Sequence, residues 1–223
     1  DRLVLFMDKT KEQNSITIQL VKWVPNHPSD AVLEFLNRPA FLPEAEQVAR
    51  DVLEDIKTRG DAAVADAVQK FNNQKLAPAK FPVTKAERMA ALDEVGPSFK
   101  KAVQEAIARI TKFSKAGLRP NWQILSPKGG SLGEQFIPLD RVGCYIPGGA
   151  APLASTALMT VVLAKVAGVQ EVIACTPADK NGKVNPYVLY ALDTAGATEI
   201  YRIGGISAIG AMAFGTKTIP AVQ

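Results

Sequence analysis

Two glycine pairs stand where a binding site for an anionic ligand would need them. Ile146-Pro147-Gly148-Gly149 and Ile203-Gly204-Gly205 each close an apolar run and lead into a helix-patterned segment. Glycine suits such turns because the backbone must approach a ligand closely and can need a positive φ. The helix N-terminus beyond offers unpaired N–H groups to a phosphate or carboxylate. Neither turn follows the G-x-G-x-x-G or phosphate-loop spacing, so alone each reads first as a tight turn. Tyr145 precedes the first turn, where a tyrosine either meets a nucleotide or half-fills the core. Cys144 and Cys175 lie in apolar runs with no histidine nearby to lower their pKa, and read as buried, inert thiols. His27, between Asn26 and Pro28, reads as a surface-loop residue, and Lys165, deep in a helical segment, as a solvated tip.

The counts narrow this chemistry. With 1 His and 2 Cys in 223 residues, the chain cannot build a His/Cys zinc site or a histidine pair from its own residues. So few cysteines make no disulfide framework and point to a reducing compartment, hence a cytoplasmic location. Hydrophobic positions make up 47%, enough to offset ordering entropy and exclude disorder. Charge is not segregated by sign, so a nucleic-acid footprint is not expected. Its density drops sharply, from 39 of 141 positions before Val142 to 9 of 82 from there on. Asp1–Met7 lacks the pattern of a secretory signal, and Met7 is a candidate natural start. The apolar stretch Ala150–Val169 is interrupted by Pro152, Lys165 and Gly168, which makes it a buried helix rather than a membrane span.

The elements that must position the turns follow from periodicity. Glu44–Gly60 patterns as an amphipathic helix through Ala45, Val48, Val52 and Ile56, and Asp61 is placed to cap a second helix. Thr84 and Glu87 have capping-box spacing, and Pro97 opens a longer helix. Residues 122–139 change period and predict a hairpin around Pro127-Lys128-Gly129-Gly130. From Val142 the order becomes strand, turn, helix. Strands are expected at Val142–Ile146, Glu171–Cys175 and Glu199–Ile203. The intervening helix to Ala167 is expected to be capped by Ser155 or Thr156, and the next runs from Asn185 to Ala195. Strands alternating with helices predict an α/β fold with a parallel sheet covered on both faces, which explains the sparse charge. Three regions result: an extension over 1–43, a helical region with a hairpin over 44–141, and a parallel α/β domain over 142–223.

The stretch from Val142 to Gln223 resembles histidinol dehydrogenase. The residues that carry this are Val142-Gly143-Cys144-Tyr145-Ile146-Pro147-Gly148-Gly149, then Ala151-Pro152-Leu153-Ala154-Ser155-Thr156-Ala157-Leu158-Met159. Ala164-Lys165-Val166-Ala167-Gly168-Val169, Asn185-Pro186, Ile200-Tyr201-Arg202-Ile203-Gly204-Gly205 and Ala208–Thr216 complete them. Arg59-Gly60-Asp61 and Lys70-Phe71 extend the resemblance towards the amino terminus. It implies an aldehyde-dehydrogenase-like α/β fold and a zinc-dependent, NAD-linked homodimer. Such an enzyme takes an amino alcohol, L-histidinol, through the aldehyde to L-histidine by two hydride transfers.

By the same resemblance, Tyr145 corresponds to the family's NAD-contacting tyrosine, and Gly148, Gly149 and Ser207 join it on the cofactor side. Three positions depart from the family pattern. Its glutamine in the second glycine turn falls at Ser207, its Phe-Asp-Gly reads Phe71-Asn72-Asn73, and its Phe-His reads Phe113-Ser114. The family's zinc ligands, acid–base pair and most substrate contacts correspond to positions downstream of Gly215-Thr216. No catalytic or metal-binding residue is therefore assigned here, and the 223 residues alone are expected to be inactive. Two other readings stand beside this one: a non-catalytic α/β module that binds a nucleotide or pairs with a subunit, and a relative that oxidises another alcohol such as a sulfonated propanediol.

Overall fold

The computed structural model describes residues 2–8, 17–23, 26–39, 42–148 and 152–223. Their contacts divide into two units, Asp1–Gln47 and Val48–Gln223. In the first, β1 (Arg2–Asp8) pairs antiparallel with β2 (Thr17–Trp23), and α1 (Asp30–Asn37) follows with Val32 buried. β1 is a nearly unbroken apolar run without alternation, so periodicity carried little strand signal there. Of the β-like run 15–18, Thr17 and Ile18 open β2, whereas Ser15 and Ile16 lie outside the described residues. His27 is exposed.

The second unit is built on a parallel sheet. β5 (Arg141–Tyr145), β6 (Glu171–Cys175) and β7 (Glu199–Tyr201) lie in the order β5-β6-β7, with Arg141 opposite Glu171 and Cys175 opposite Tyr201. The two-residue pleat sorts their side chains. Cys144, Val172, Ala174 and Ile200 enter one core, where α6 (Ala154–Val166) and α7 (Pro186–Ala195) cover the sheet. Ile173, Cys175 and Tyr201 enter the other, against α2 (Pro43–Arg59), α3 (Asp61–Asn72) and α8 (Gly205–Phe214). Strands that advance in one direction with both crossover helices on one face make two connections of the same hand. α8 then takes the opposite face and brings the chain back to β5, where the Gln223 amide donates to the Arg141 carbonyl at 3.1 Å.

Two further helices pack outside α6 and α7, each begun as the sequence predicts. α4 (Lys85–Glu94) opens on a complete Thr84/Glu87 capping box, and α5 (Pro97–Ala116) has Pro97 in its first turn. Arg88 ties α4 to the end of α7, donating from Nε to Asp193 at 2.6 Å and from Nη2 to the Ala197 carbonyl at 2.9 Å. α7 is capped by Asn185, which accepts from the Tyr187 amide, and ends at Gly196 with φ 99°. The hairpin forms from β3 (Trp122–Leu125) and β4 (Ser131–Glu134), shorter than 122–139.

Two caps differ from expectation. α6 starts after Leu153 with no side-chain cap, ahead of both Ser155 and Thr156. Asp61 is the first residue of α3 rather than its cap, because Thr218 engages its carboxylate, donating from Oγ1 at 2.6 Å.

Glu87 also serves a second partner. Arg202, buried at the end of β7, donates to it at 2.6 Å and to the carbonyls of Gly182 and Pro82 at 2.8 and 3.0 Å. The Arg202 bond, with the Thr84 donors, lowers the Glu87 carboxyl from 4.5 to about 2. A carboxyl whose pKa falls on folding contributes stability above its unfolded value and loses it as the pH drops through the folded one. Thermal melts of the chain and of Glu87→Gln should therefore converge between pH 4.5 and about 2, with the unsubstituted chain losing more. Parallel curves over that window would contradict this.

Candidate functional site

All three parallel strands end at the same edge of the sheet. β5 runs into Pro147-Gly148, β6 into Thr176-Pro177 and β7 into Gly204-Gly205. A cleft of about 600 Å³ opens there, lined by Pro147, Gly148, Thr176, Pro177, Asp179 and Asn185 among others. In open α/β sheets ligands settle beyond the carboxyl ends of the strands, and this cleft is in that position.

Pro177 organises the edge. A Cβ built on Gly148 would lie 2.2 Å from Pro177 Cγ, and one on Gly204 2.8 Å from Pro177 Cβ. The proline is thus wedged between the two glycine turns, and both glycines are required by its bulk whatever binds above them. Gly205 has φ 62°, a conformation L side chains rarely adopt. Gly149 lies outside the described residues.

Tyr145 joins the two turns directly. Its hydroxyl oxygen accepts a hydrogen bond from the Gly205 amide at 3.0 Å, across 60 residues of sequence. The half-buried ring packs against the second core, while the hydroxyl lies at the start of α8. The ring therefore packs in the core, and its polar tip braces the second glycine turn. Ser207 is 3% exposed, and its Oγ donates to the Gly204 carbonyl at 2.8 Å. Its hydroxyl is consumed within the turn and does not reach into the cleft.

The remaining candidates are structural. Cys144 packs on one side of the sheet and Cys175 on the other, and burial raises both thiol pKa values. Lys165 folds back to donate to the carbonyls of Val169 and Gln170 at 3.0 and 3.1 Å, so its ammonium closes the turn after α6 instead of standing free in solvent. No group of three His, Cys, Asp or Glu side chains gathers as a metal site among the described residues. Cys144 and Cys175, on opposite faces of the sheet, do not fit a zinc ion.

Two cleft features escaped the sequence reading. Thr176-Pro177 follows β6 without a glycine pair, so only its place after a parallel strand could have marked it. Asn72 lines the cleft from the end of α3, and Asn73 next to it has φ 51°. Asparagine tolerates the left-handed region, so Asn73 can cap the end of α3.

The sheet, the crossover helices and the turns define a parallel α/β unit of the class that binds ligands at the carboxyl edge of its strands. Residues 38–223 match the family model for histidinol dehydrogenase. The histidinol dehydrogenase of Symbiobacterium thermophilum is 42% identical over 203 residues, covering 90% of this chain and 45% of that protein. The one from Methanosarcina barkeri is 40% identical over 191 residues, 85% of this chain and 44% of its own length. A crystal structure of histidinol dehydrogenase from Elizabethkingia anophelis superimposes with a TM-score of 0.77 at 36% identity, covering 86% of this chain and 45% of that one. The chain belongs to the histidinol dehydrogenase family, and it spans a little under half the length of these relatives. No helix among the described residues is long and apolar enough to cross a membrane.

Proposed function

We propose that this chain is the amino-terminal, cofactor-side portion of a cytoplasmic, homodimeric oxidoreductase. The reaction is NAD-linked and zinc-dependent oxidation of L-histidinol, through the aldehyde, to L-histidine. The observation that carries the reading is the Tyr145–Gly205 hydrogen bond, which joins two glycine turns at the ligand edge of a family member. When bound, NAD would supply the hydride acceptor. Residues 142–223 form the domain that receives it.

In this reading each residue has a limited task. Tyr145, fixed by Gly205, keeps its own O–H proton free to donate and presents a ring edge beside the turn. The Gly205 amide is taken by Tyr145, so the amides of Ile206 and Ser207 are the first-turn donors of α8 left for a dinucleotide's phosphates. Ser207 contributes through this backbone, since its hydroxyl is already bonded to Gly204. Gly148 lets the first turn pass close over Pro177 at the wall of the cleft.

Calorimetric titration of the purified chain with NAD tests this. Replacing Tyr145 with Ala should weaken binding by roughly 5- to 100-fold, the range expected for losing an aromatic contact to a base. Tyr145→Phe should cost less. Unchanged affinity in Tyr145→Ala would remove the assignment. Histidinol added to the same samples with zinc should give no NADH, because no group of three metal donors gathers among the described residues.

A further inference from the structure

Among the described residues, Asp179 is the acidic side chain on the wall of the cleft at the sheet's carboxyl edge. It lies beyond the end of β6, just past Pro177, and lines the cleft with Pro147, Gly148 and Asn72. β6 is the strand beside β5, with Cys175 opposite Tyr145, so this carboxylate emerges next to the first glycine turn. Its setting is fixed by the turn over 179–183. Oδ1 accepts from the amides of Asn181 and Lys183, each at 2.9 Å. The Asp179 amide donates to the Lys183 carbonyl and the Gly182 amide to the Asp179 carbonyl, also at 2.9 Å. Arg202 secures the same turn, donating to the Gly182 carbonyl.

One carboxylate oxygen is thus occupied by the backbone, and the other is left over. Among the described residues Oδ2 makes no hydrogen bond and Asp179 no ion pair. Lys183, on the same wall, is engaged elsewhere: its Nζ donates to Glu94 at 2.7 Å. No arginine lines the cleft among the described residues. These charges decide between two ligands that differ by one phosphate. In dinucleotide-binding α/β units an acidic side chain takes the ribose 2′-hydroxyl, whereas an arginine nearby admits a 2′-phosphate. A 2′-hydroxyl has a proton to donate to Oδ2. A 2′-phosphate carries acceptor oxygens and about two negative charges, so it would lose that bond and meet a like charge.

We propose that Asp179 selects the dinucleotide: Oδ2 accepts from the 2′-hydroxyl of the adenosine ribose, and the same charge turns away a 2′-phosphate. The assignment rests on the NAD-linked reading above and names the residue that separates NAD from NADP. Asp179 also organises its own turn, as short polar side chains do through local bonds to the backbone. Asparagine keeps the Oδ1 acceptor of that turn and loses the charge, so Asp179→Asn isolates the selecting role from the structural one.

Parallel calorimetric titrations of the purified chain with NAD and with NADP test this. Asp179 is exposed and its charge is screened by solvent, so the contrast is moderate. NADP should bind roughly 10- to 50-fold more weakly than NAD, as expected for one lost hydrogen bond to a charged group plus one like-charge contact. In Asp179→Asn the two dissociation constants should come within about 3-fold of each other, NADP gaining and NAD losing. Salt gives a second reading on the unsubstituted chain. At about 1 M the Debye length falls to about 3 Å, so the gap should narrow. If Asp179→Asn disrupts the circular dichroism spectrum, this salt titration decides. NADP bound as well as NAD, or better, overturns the selection but leaves a dinucleotide in the cleft. A gap that survives in a folded Asp179→Asn overturns the role of Asp179, and a gap indifferent to salt overturns repulsion as its cause. Failure of both dinucleotides to bind overturns the cofactor reading itself, and this assignment with it.

Discussion

Gly148→Ala should destabilise the chain by about 1–3 kcal/mol or more, the usual cost of forcing an extra methyl into a packed site. The new Cβ would sit 2.2 Å from Pro177 Cγ, so either the first glycine turn or the proline must move. Pro177→Ala removes that Cγ together with the Cδ, and the nearest remaining Pro177 atom to the new methyl is Cβ at 3.4 Å. The double substitution should therefore recover most of what Gly148→Ala loses. Gly204→Ala offers the contrast. Its conflict is with Pro177 Cβ at 2.8 Å, an atom that alanine keeps, so Pro177→Ala should rescue it poorly. Denaturant melts of the three single and two double variants form two cycles with opposite expected outcomes. Equal rescue in both, or none in either, would show that Pro177 is not the wedge between the turns.

Arg202→Ala should lower the thermal midpoint by about 5–10 °C, corresponding to roughly 2–3 kcal/mol for a domain of this size. Arg202 is 8% exposed and satisfies two part-buried carbonyls and the Glu87 carboxylate. Removing one partner of a buried ion pair costs about 3–5 kcal/mol, and the figure is reduced here because the Glu87 side chain is 42% exposed and solvent compensates it. Arg202→Lys should recover little, since one ammonium cannot reproduce the fork that reaches Gly182, Pro82 and Glu87 together. Differential scanning calorimetry checks both variants. A loss under 2 °C for Arg202→Ala would mean that solvent already reaches the carbonyls.

Much of the frame was legible before any coordinates. Thr84 and Glu87 marked a helix start because capping is a local exchange of hydrogen bonds over three residues. Pro97, Asn185-Pro186 and Gly196 marked helix ends for the same reason. The apolar runs at Val142, Glu171 and Glu199, spaced by helices, implied a parallel sheet because only crossovers of that length connect such strands. Asp61 was read wrongly as a cap because its partner, Thr218, is 157 residues away. Lys165 was read as a free tip because its acceptors depend on the fold of the following turn.

The sequence by itself determined the fold class, the order of elements from α2 onward, the two glycine turns and the family. These depend on short-range periodicity, backbone preference and motif identity. Only the tertiary structure decided that Tyr145 braces the second turn, that Ser207 spends its hydroxyl on Gly204, and that Pro177 dictates both glycines. It also brought Asp179 to the wall of the cleft. Such contacts join residues tens of positions apart, and no local spacing encodes which atoms the folded sheet brings within 3 Å of one another.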